Sequence, residues 1–220
     1  MFQIKICGIT SVDDALTVVR AGADAVGLNF YPGTPRYLSL DTARQIVAVL
    51  PKEVVRVGLF VNASPFVVCR LYDDLQLDLI QLHGDEPPEY LAQLGARPMM
   101  RAFRLKPGKL DTAIDYLTRC RQLGVLPRLV MMDSLVAGMY GGSGKTADWT
   151  TAKQYSAEPG LPPLVLAGGL TPDNVAEAIA AVRPAAVDVA SGVESSPPRK
   201  DPAAVEAFVR AARAAFSMIG

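Results

Sequence analysis

The stretch LVLAGGLTPDNVAEAIAAVRPAAVDVASG, Leu164–Gly192, contains two apolar runs with a helical pattern between them. Leu164–Ala167 and Ala186–Ala190 are apolar on both alternations, which is typical of parallel strands covered on both faces. Val175–Val182 follows Thr171–Asn174, a helix start signal that includes a proline. The stretch therefore predicts a strand–helix–strand unit with parallel strands.

Each strand of this unit is followed at once by a glycine-bearing loop. Gly168 and Gly169 follow the first run, Ser191 and Gly192 follow the second, and Gly141–Lys145 comes after an earlier apolar run. Glycine lets backbone amides approach a ligand closely, and amides at the N-terminus of a following helix favour anions. Because such loops meet at one face of an α/β barrel, they predict a site for a small phosphorylated molecule.

The same alternation extends over the whole chain. The predicted strands are Phe2–Cys7, Ala25–Phe30, Val54–Val61, Leu79–His83, Met99–Leu105, Leu129–Asp133, Leu164–Ala167 and Ala186–Ala190. The clearest predicted helices are Asp13–Ala21, Asp41–Leu50, Phe66–Leu75, Val175–Val182 and Ala203–Phe216, with a further helix after Asp148. Eight evenly spaced units in 220 residues favour an α/β fold, a single-domain (βα)8 TIM barrel over residues 1–220, above the alternative of an open, doubly wound sheet.

Composition excludes several classes of function. Lysine plus arginine and aspartate plus glutamate number 22 each, so no overall field would attract nucleic acid. Neither a membrane span nor a signal segment is evident, and three widely spaced cysteines fit reduced thiols. A single histidine argues against a multi-histidine metal site. We therefore expect a cytoplasmic protein that binds no membrane, nucleic acid or metal.

Polar residues at the predicted strand ends are the candidates for chemistry. They are Cys7, Asn29, Asn62, Gln81, His83, Arg104, Asp133 and Asp188. Cys7 as a thiolate is a possible base or nucleophile and Asp133 a possible acid, while the simpler interpretations are a buried apolar cysteine and a capping carboxylate. His83 is more simply a core residue and receives no role.

Arg36 lies in a proline-stiffened loop after the second predicted strand. Its guanidinium could hold a carboxylate through two hydrogen bonds, and the alternative is a solvated surface arginine.

Six segments resemble the signature segments of the phosphoribosylanthranilate isomerase family, in order and over essentially the whole chain. They are Lys5–Thr10, Val57–Asn62, Gln81–Gly84, Gly141–Trp149, Leu166–Asn174 and Asp188–Asp201. The resemblance implies a (βα)8 barrel that acts in tryptophan biosynthesis. Its reaction is the Amadori rearrangement of N-(5′-phosphoribosyl)anthranilate to 1-(2-carboxyphenylamino)-1-deoxyribulose 5-phosphate, without a cofactor. The sequence does not distinguish a monomer from a homodimer.

The resemblance also implies residue roles. Cys7 would be the general base, Asp133 the general acid and Arg36 the ligand of the anthranilate carboxylate, with Asp188 close to the sugar. The phosphate would be held by backbone amides around Gly142, Gly168, Gly169, Ser191 and Gly192. Ser143, Ala147 and Pro198 depart from the usual pattern, and Pro198 has no amide hydrogen to donate.

The chemistry requires unfavourable protonation states. Ionising a free cysteine of pKa about 8.5 at pH 7 costs roughly 2 kcal/mol. The anions of the substrate favour a protonated Asp133 but oppose a thiolate at Cys7. We therefore expect a cation near Cys7 to offset this, either Arg36 or Lys5, which shares strand parity with Cys7 and should point inward.

Two other functions remain open at this level. An isomerase of histidine biosynthesis would be expected to use two aspartates, which Cys7 argues against. A phosphate-sensing barrel would need the glycine loops but neither Cys7 nor Asp133. Nucleotide hydrolysis is rejected, because the segment ending in Gly144-Lys145-Thr146 has Met139 where a phosphate-binding loop needs glycine.

Overall fold

The structure, a computed structural model, describes residues 1–104, 108–133 and 148–219. Eight parallel strands form a closed barrel in chain order. They are β1 (Ile4–Cys7), β2 (Ala25–Asn29), β3 (Val55–Phe60), β4 (Leu79–Leu82), β5 (Met99–Phe103), β6 (Leu129–Met132), β7 (Leu164–Leu166) and β8 (Ala186–Val189). The predicted (βα)8 barrel is confirmed, and the open-sheet alternative is wrong because β1 also pairs with β8.

Eight helices surround the barrel in the described part of the chain. They are α1 (Val12–Arg20), α2 (Leu40–Val49), α3 (Pro65–Asp74), α4 (Pro88–Ala92), α5 (Leu110–Gln122), α6 (Trp149–Ala157), α7 (Val175–Val182) and α8 (Pro202–Ile219). Their starts follow ordinary capping chemistry: Ser64 caps α3 and precedes its first-turn proline. The helix predicted after Asp148 exists as α6, where the Asp148 carboxylate accepts a hydrogen bond from the Thr150 amide at 3.1 Å. No helix in the described ranges has the length and apolar composition needed to cross a membrane.

Alternation along the strands divides the core into two layers. Outward-facing residues such as Ile4, Ile6 and Val187 pack against the helices. Inward-facing residues such as Val57, Leu79 and Met100 form an apolar cluster inside the barrel. Lys5, Gln81 and Asp188 share that interior and are buried there, which confirms that Lys5 points inward. Polar groups therefore occupy the barrel interior beneath the carboxyl ends of the strands.

A short hairpin follows the barrel. A 3-10 turn, Ser191–Val193, leads into β9 (Glu194–Ser196), which pairs antiparallel with β10 (Arg199–Lys200). The sequence did not predict this hairpin, because segments of three and two residues carry no readable alternation. Its first and last residues, Glu194 and Lys200, return to the barrel mouth.

A buried carboxylate ties three strand ends together. Glu86 accepts hydrogen bonds from the Asn62 amide at 2.8 Å, the Gly84 amide at 3.0 Å and Arg101 Nη1 at 3.2 Å. Arg101 in turn donates to the Leu82 carbonyl at 3.0 Å. This clamp fixes the loop after β4, and hence the position of the residues next to it.

The Glu86 clamp yields a stability prediction. Glu86→Ala leaves the buried Arg101 guanidinium without its ion-pair partner, so we expect the free energy of unfolding to fall by about 3–5 kcal/mol. The matched control is Glu89→Ala, which breaks an ion pair to Arg119 whose side chains are 54% and 51% exposed. That change should cost at most about 1 kcal/mol. Urea denaturation measures both, and equal losses would contradict the argument.

Candidate active site

The loops after β7 and β8 and the ends of β6 and β8 enclose one depression at the barrel mouth. It is lined by Asp133, Ala167, Gly168, Gly169, Leu170, Asp188, Val189, Ala190, Ser191 and Gly192. The structure thus brings together both predicted aspartates and four of the five predicted phosphate-loop residues. The fifth, Gly142, lies with the rest of the Gly141–Lys145 loop outside the described residues.

Cys7 ends β1 directly above a buried ion pair. Lys5 lies two residues earlier on the same face, and its Nζ contacts Asp188 Oδ1 at 2.7 Å across the pairing of β1 with β8. Gly27 is opposite Cys7 on β2, and a Cβ there would lie 2.6 Å from Cys7 Sγ and 2.9 Å from Lys5 Nζ. Gly27 is therefore required by the site. Sequence reasoning missed it, although a lone glycine inside a strand pattern is the signal of a close approach.

At neutral pH the Cys7 side chain is a neutral thiol, because its pKa is raised. Burial raises its pKa above the ordinary value, and Asp188 raises it further, while Lys5 and Lys200 lower it. Burial also acts against the charge of Lys5, but Asp188 and Cys7 outweigh it and the pKa of the ammonium is raised. The predicted cation beside Cys7 is present and lowers the thiol pKa, but burial raises that pKa by more, so the net shift is upward.

Arg36 is not the solvated surface arginine of the alternative interpretation. It is 7% exposed, and its Nε and Nη2 donate to the two carboxylate oxygens of Glu194 at 2.8 and 2.7 Å. Its aliphatic stem lies on Gly8, where any Cβ would collide with Arg36 Cδ. Gly8 also has a left-handed backbone conformation, with φ of 74°. Both this conformation and the contact with Arg36 therefore favour glycine at position 8. Arg36 is thereby fixed beside the residue that follows Cys7.

Asp133 lies beside the lone histidine. His83 Nε2 is 3.3 Å from Asp133 Oδ2, and both residues are buried. On the other side of the ring, the Gln81 amide nitrogen lies 2.9 Å from His83 Nδ1, and with that amide orientation a neutral imidazole carries its proton on Nε2. Sequence reasoning gave His83 no role. Its shared strand parity with Gln81, both facing inward near a strand end, was the available signal.

The phosphate loops after β7 and β8 are held against each other. Gly168 and Gly169 have φ of 85° and 65°, a conformation that turns the backbone away from the strand direction and favours glycine. Asn174 fixes this loop, since its side chain accepts from the Thr171 amide at 2.8 Å and donates to the Gly169 carbonyl at 2.9 Å. A Cβ on Gly192 would collide with the Leu170 carbonyl oxygen, so glycine lets the two loops touch.

An apolar surface adjoins Cys7. Cys7, Leu59 and Val61 are buried in one cluster, with Tyr31 and Ala190 packed against it. This surface connects the thiol to the Arg36 loop and to the end of β8. Within residues 1–104, 108–133 and 148–219, no three histidine, cysteine, aspartate or glutamate side chains gather in a metal-binding arrangement.

Comparison with known proteins identifies a family. A family model described as N-(5′-phosphoribosyl)anthranilate (PRA) isomerase matches residues 4–211. An N-(5′-phosphoribosyl)anthranilate isomerase of Trichlorobacter lovleyi is 46% identical over 216 residues, covering 98% of this chain and all of that protein. The crystal structure of the phosphoribosyl anthranilate isomerase of Thermotoga maritima is 40% identical, with a TM-score of 0.86 over 97% of this chain and all of the other.

Two related crystal structures add a ligand and an assembly. One is a phosphoribosyl anthranilate isomerase in complex with reduced 1-(o-carboxyphenylamino)-1-deoxyribulose 5-phosphate, 37% identical with a TM-score of 0.83, over 97% of this chain and all of the other. The other contains monomers generated from the dimeric Thermotoga maritima enzyme, 38% identical with a TM-score of 0.82 over the same shares.

The environment of Cys7 yields a titration prediction. We expect its thiol to ionise above the ordinary value of about 8.5, because burial outweighs the nearby ammonium. Lys5→Met should move the titration to still higher pH, whereas Lys153→Met, on the exposed face of α6, should leave it in place. The measurement is the ultraviolet absorbance of the thiolate against pH, corrected with the same variant carrying Cys7→Ser. A Cys7 thiol that titrates at or below the ordinary value would refute this account.

Proposed function

Because the chain belongs to the N-(5′-phosphoribosyl)anthranilate isomerase family, we propose that Cys7 and Asp133 perform its reaction as base and acid at the barrel mouth. The protein is an isomerase of tryptophan biosynthesis, and it catalyses the Amadori rearrangement of N-(5′-phosphoribosyl)anthranilate. This assignment of roles is supported by the position of both groups at the same mouth of the barrel. The buried thiol lies at the end of β1 and the buried carboxylate directly after β6, with the two glycine loops between them.

The reaction needs two proton movements. Asp133 donates a proton to the oxygen of the ribose ring, the bond from that oxygen to the anomeric carbon breaks, and the nitrogen lone pair forms an iminium. Cys7 as thiolate then removes the proton from the adjacent sugar carbon. The resulting enolamine tautomerises to the ketone, so a single acid and a single base account for the isomerisation.

Orientation comes from the two ends of the substrate. The phosphate lies at the backbone amides of Gly168, Gly169, Ser191 and Gly192, and also of Gly142 from the loop outside the described residues. Arg36 holds the anthranilate carboxylate, and the apolar surface beside Cys7 receives the aromatic ring. Asp188, paired with Lys5, lies under the sugar. Anchoring both ends leaves the anomeric and adjacent carbons between thiol and carboxyl.

Several broader properties belong to the same proposal. Residues 1–220 form one phosphate-binding barrel domain, and the protein works in the cytoplasm without a nucleic acid partner, cofactor or metal. Its assembly is a monomer or a homodimer, and the relative from Thermotoga maritima is described as dimeric. Sedimentation of the purified protein distinguishes these two assemblies.

The catalytic roles predict the effect of two substitutions. Cys7→Ser and Asp133→Asn should each lower kcat by about 10²-fold or more, because each removes one proton-transfer group. Cys69→Ser, on α3 and away from the mouth, should leave kcat unchanged. The assay is single-turnover decay of the fluorescence of freshly made phosphoribosylanthranilate. Wild-type decay with an unaffected Cys7→Ser would exclude Cys7 as the base, and tight binding of the product analogue without any wild-type turnover would favour a phosphate sensor.

The contact between the two phosphate loops predicts a separate effect. Gly192→Ala displaces the loop after β8 from Leu170, so we expect KM to rise about 10-fold and inhibition by inorganic phosphate to weaken by a similar factor. Gly124→Ala is the control, since that glycine has φ of 71° and open space around it after α5. It should cost about 1 kcal/mol of stability without changing either constant. Equal inhibition of both variants by phosphate would argue against these amides as the phosphate site.

A further inference from the structure

The β9–β10 hairpin places two buried charges behind Arg36. Glu194 Oε1 accepts hydrogen bonds from Arg36 Nε at 2.8 Å and from Lys200 Nζ at 2.9 Å, and its Oε2 accepts from Arg36 Nη2 at 2.7 Å. The side chains of Glu194 and Lys200 are 2% and 0% exposed. Neither residue entered the sequence prediction or the proposed chemistry. Burying such ionic groups costs free energy in folding, so their presence needs an explanation.

The contact with Glu194 determines which edge of the Arg36 guanidinium is left for another ligand. A guanidinium has five N–H donors in a planar fork. Glu194 uses the Nε–H and one Nη2–H, and the other edge of the fork consists of the two Nη1–H groups and the second Nη2–H. A carboxylate that approaches this edge in the guanidinium plane can accept two parallel hydrogen bonds. Glu194 therefore fixes both the plane and the open edge of Arg36.

Lys200 sets the net charge of the group. Arg36 and Glu194 alone would sum to zero, so a carboxylate brought to Arg36 would meet a neutral pair with another carboxylate close behind. Burial lowers the pKa of Lys200 and Glu194 acts in the opposite direction. With Lys200 as an ammonium the three charges sum to one positive charge, which matches one carboxylate. Burial tends to raise the pKa of Glu194, but hydrogen bonds from Arg36 and the charge of Lys200 lower it overall, so Glu194 stays ionised.

The hairpin is also anchored at the reacting thiol. Lys200 Nζ donates a second hydrogen bond to the carbonyl of Ala190 at 3.0 Å. Ala190 packs against the apolar surface formed by Cys7, Leu59 and Val61. The same lysine therefore connects the orientation of Arg36 to the wall on which an aromatic ring would lie.

We propose that Glu194 and Lys200 determine specificity by positioning Arg36, so that the site selects aryl amines that bear an ortho carboxylate over those that lack it. The inference rests on the proposed function, in which Arg36 binds that carboxylate. Neither residue contacts the reacting atoms, and both act through Arg36. Discrimination between two ligands that differ only in the carboxylate is the quantity that they control.

The test compares two ligands by calorimetric titration. One is reduced 1-(o-carboxyphenylamino)-1-deoxyribulose 5-phosphate, and the other is the same compound without its carboxyl group. In Glu194→Gln and in Lys200→Met, affinity for the first should fall about 10-fold or more, while affinity for the second should change less than about 3-fold. Glu194→Asp, which keeps the charge, should recover part of the loss. In turnover assays KM should rise by a larger factor than kcat falls.

Control variants distinguish failure of this inference from failure of the proposed role of Arg36. Glu206→Gln alters an ion pair with Arg210 whose side chains are 70% and 71% exposed, and it should leave both affinities unchanged. Arg36→Met should abolish the preference for the carboxylate; if the preference survives, the proposed role of Arg36 is wrong. If Arg36→Met abolishes it while Glu194→Gln and Lys200→Met keep it, only the present inference is overturned. Equal weakening of both ligands would indicate a merely structural hairpin and would also overturn it.

Discussion

Closure of the sheet between its first and last strands is the constraint on which the rest of this molecule depends. β1 pairs with β8 in a register that sets Lys5 beside Asp188, and the two side chains meet at 2.7 Å inside the barrel although 183 residues separate them. Closure leaves the barrel sheet without an unpaired edge and directs every second side chain inward. One consequence is that the thiol of Cys7 and the loop after β8 lie at the same mouth.

The charged groups at this mouth are paired in small sets. Lys5 with Asp188, and Arg36 with Glu194 and Lys200, each combine buried charges that would be costly alone. The arrangement places ammonium groups near Cys7 without making its thiolate the resting form, since burial still raises the thiol pKa. A neutral resting thiol is less open to unwanted reaction.

The strand ends and the loops contribute different parts of the site. The proposed acid and base, Asp133 and Cys7, lie at the ends of barrel strands, where the backbone of Cys7 pairs with β2 and the amide of Asp133 donates to the Phe103 carbonyl. The groups proposed to bind the ends of the substrate lie on loops, and glycines there permit close contacts such as that of Gly192 with Leu170. Side chains such as Asn174 and Lys200 then fix those loops. Binding specificity can accordingly change through the loops without moving the chemistry.

The sequence alone favoured the barrel over an open sheet and identified Cys7, Asp133 and Arg36 as candidates, because runs apolar on both alternations, capping residues and glycine loops are local signals. It also predicted the inward direction of Lys5 from strand parity. The tertiary structure alone decided the partners: His83 beside Asp133, Gly27 opposite Cys7, and the hairpin residues Glu194 and Lys200 behind Arg36. These contacts join residues far apart in the chain, and their distances and burial determine the pKa of the thiol. No local pattern encodes such distances, since they arise only when the barrel closes.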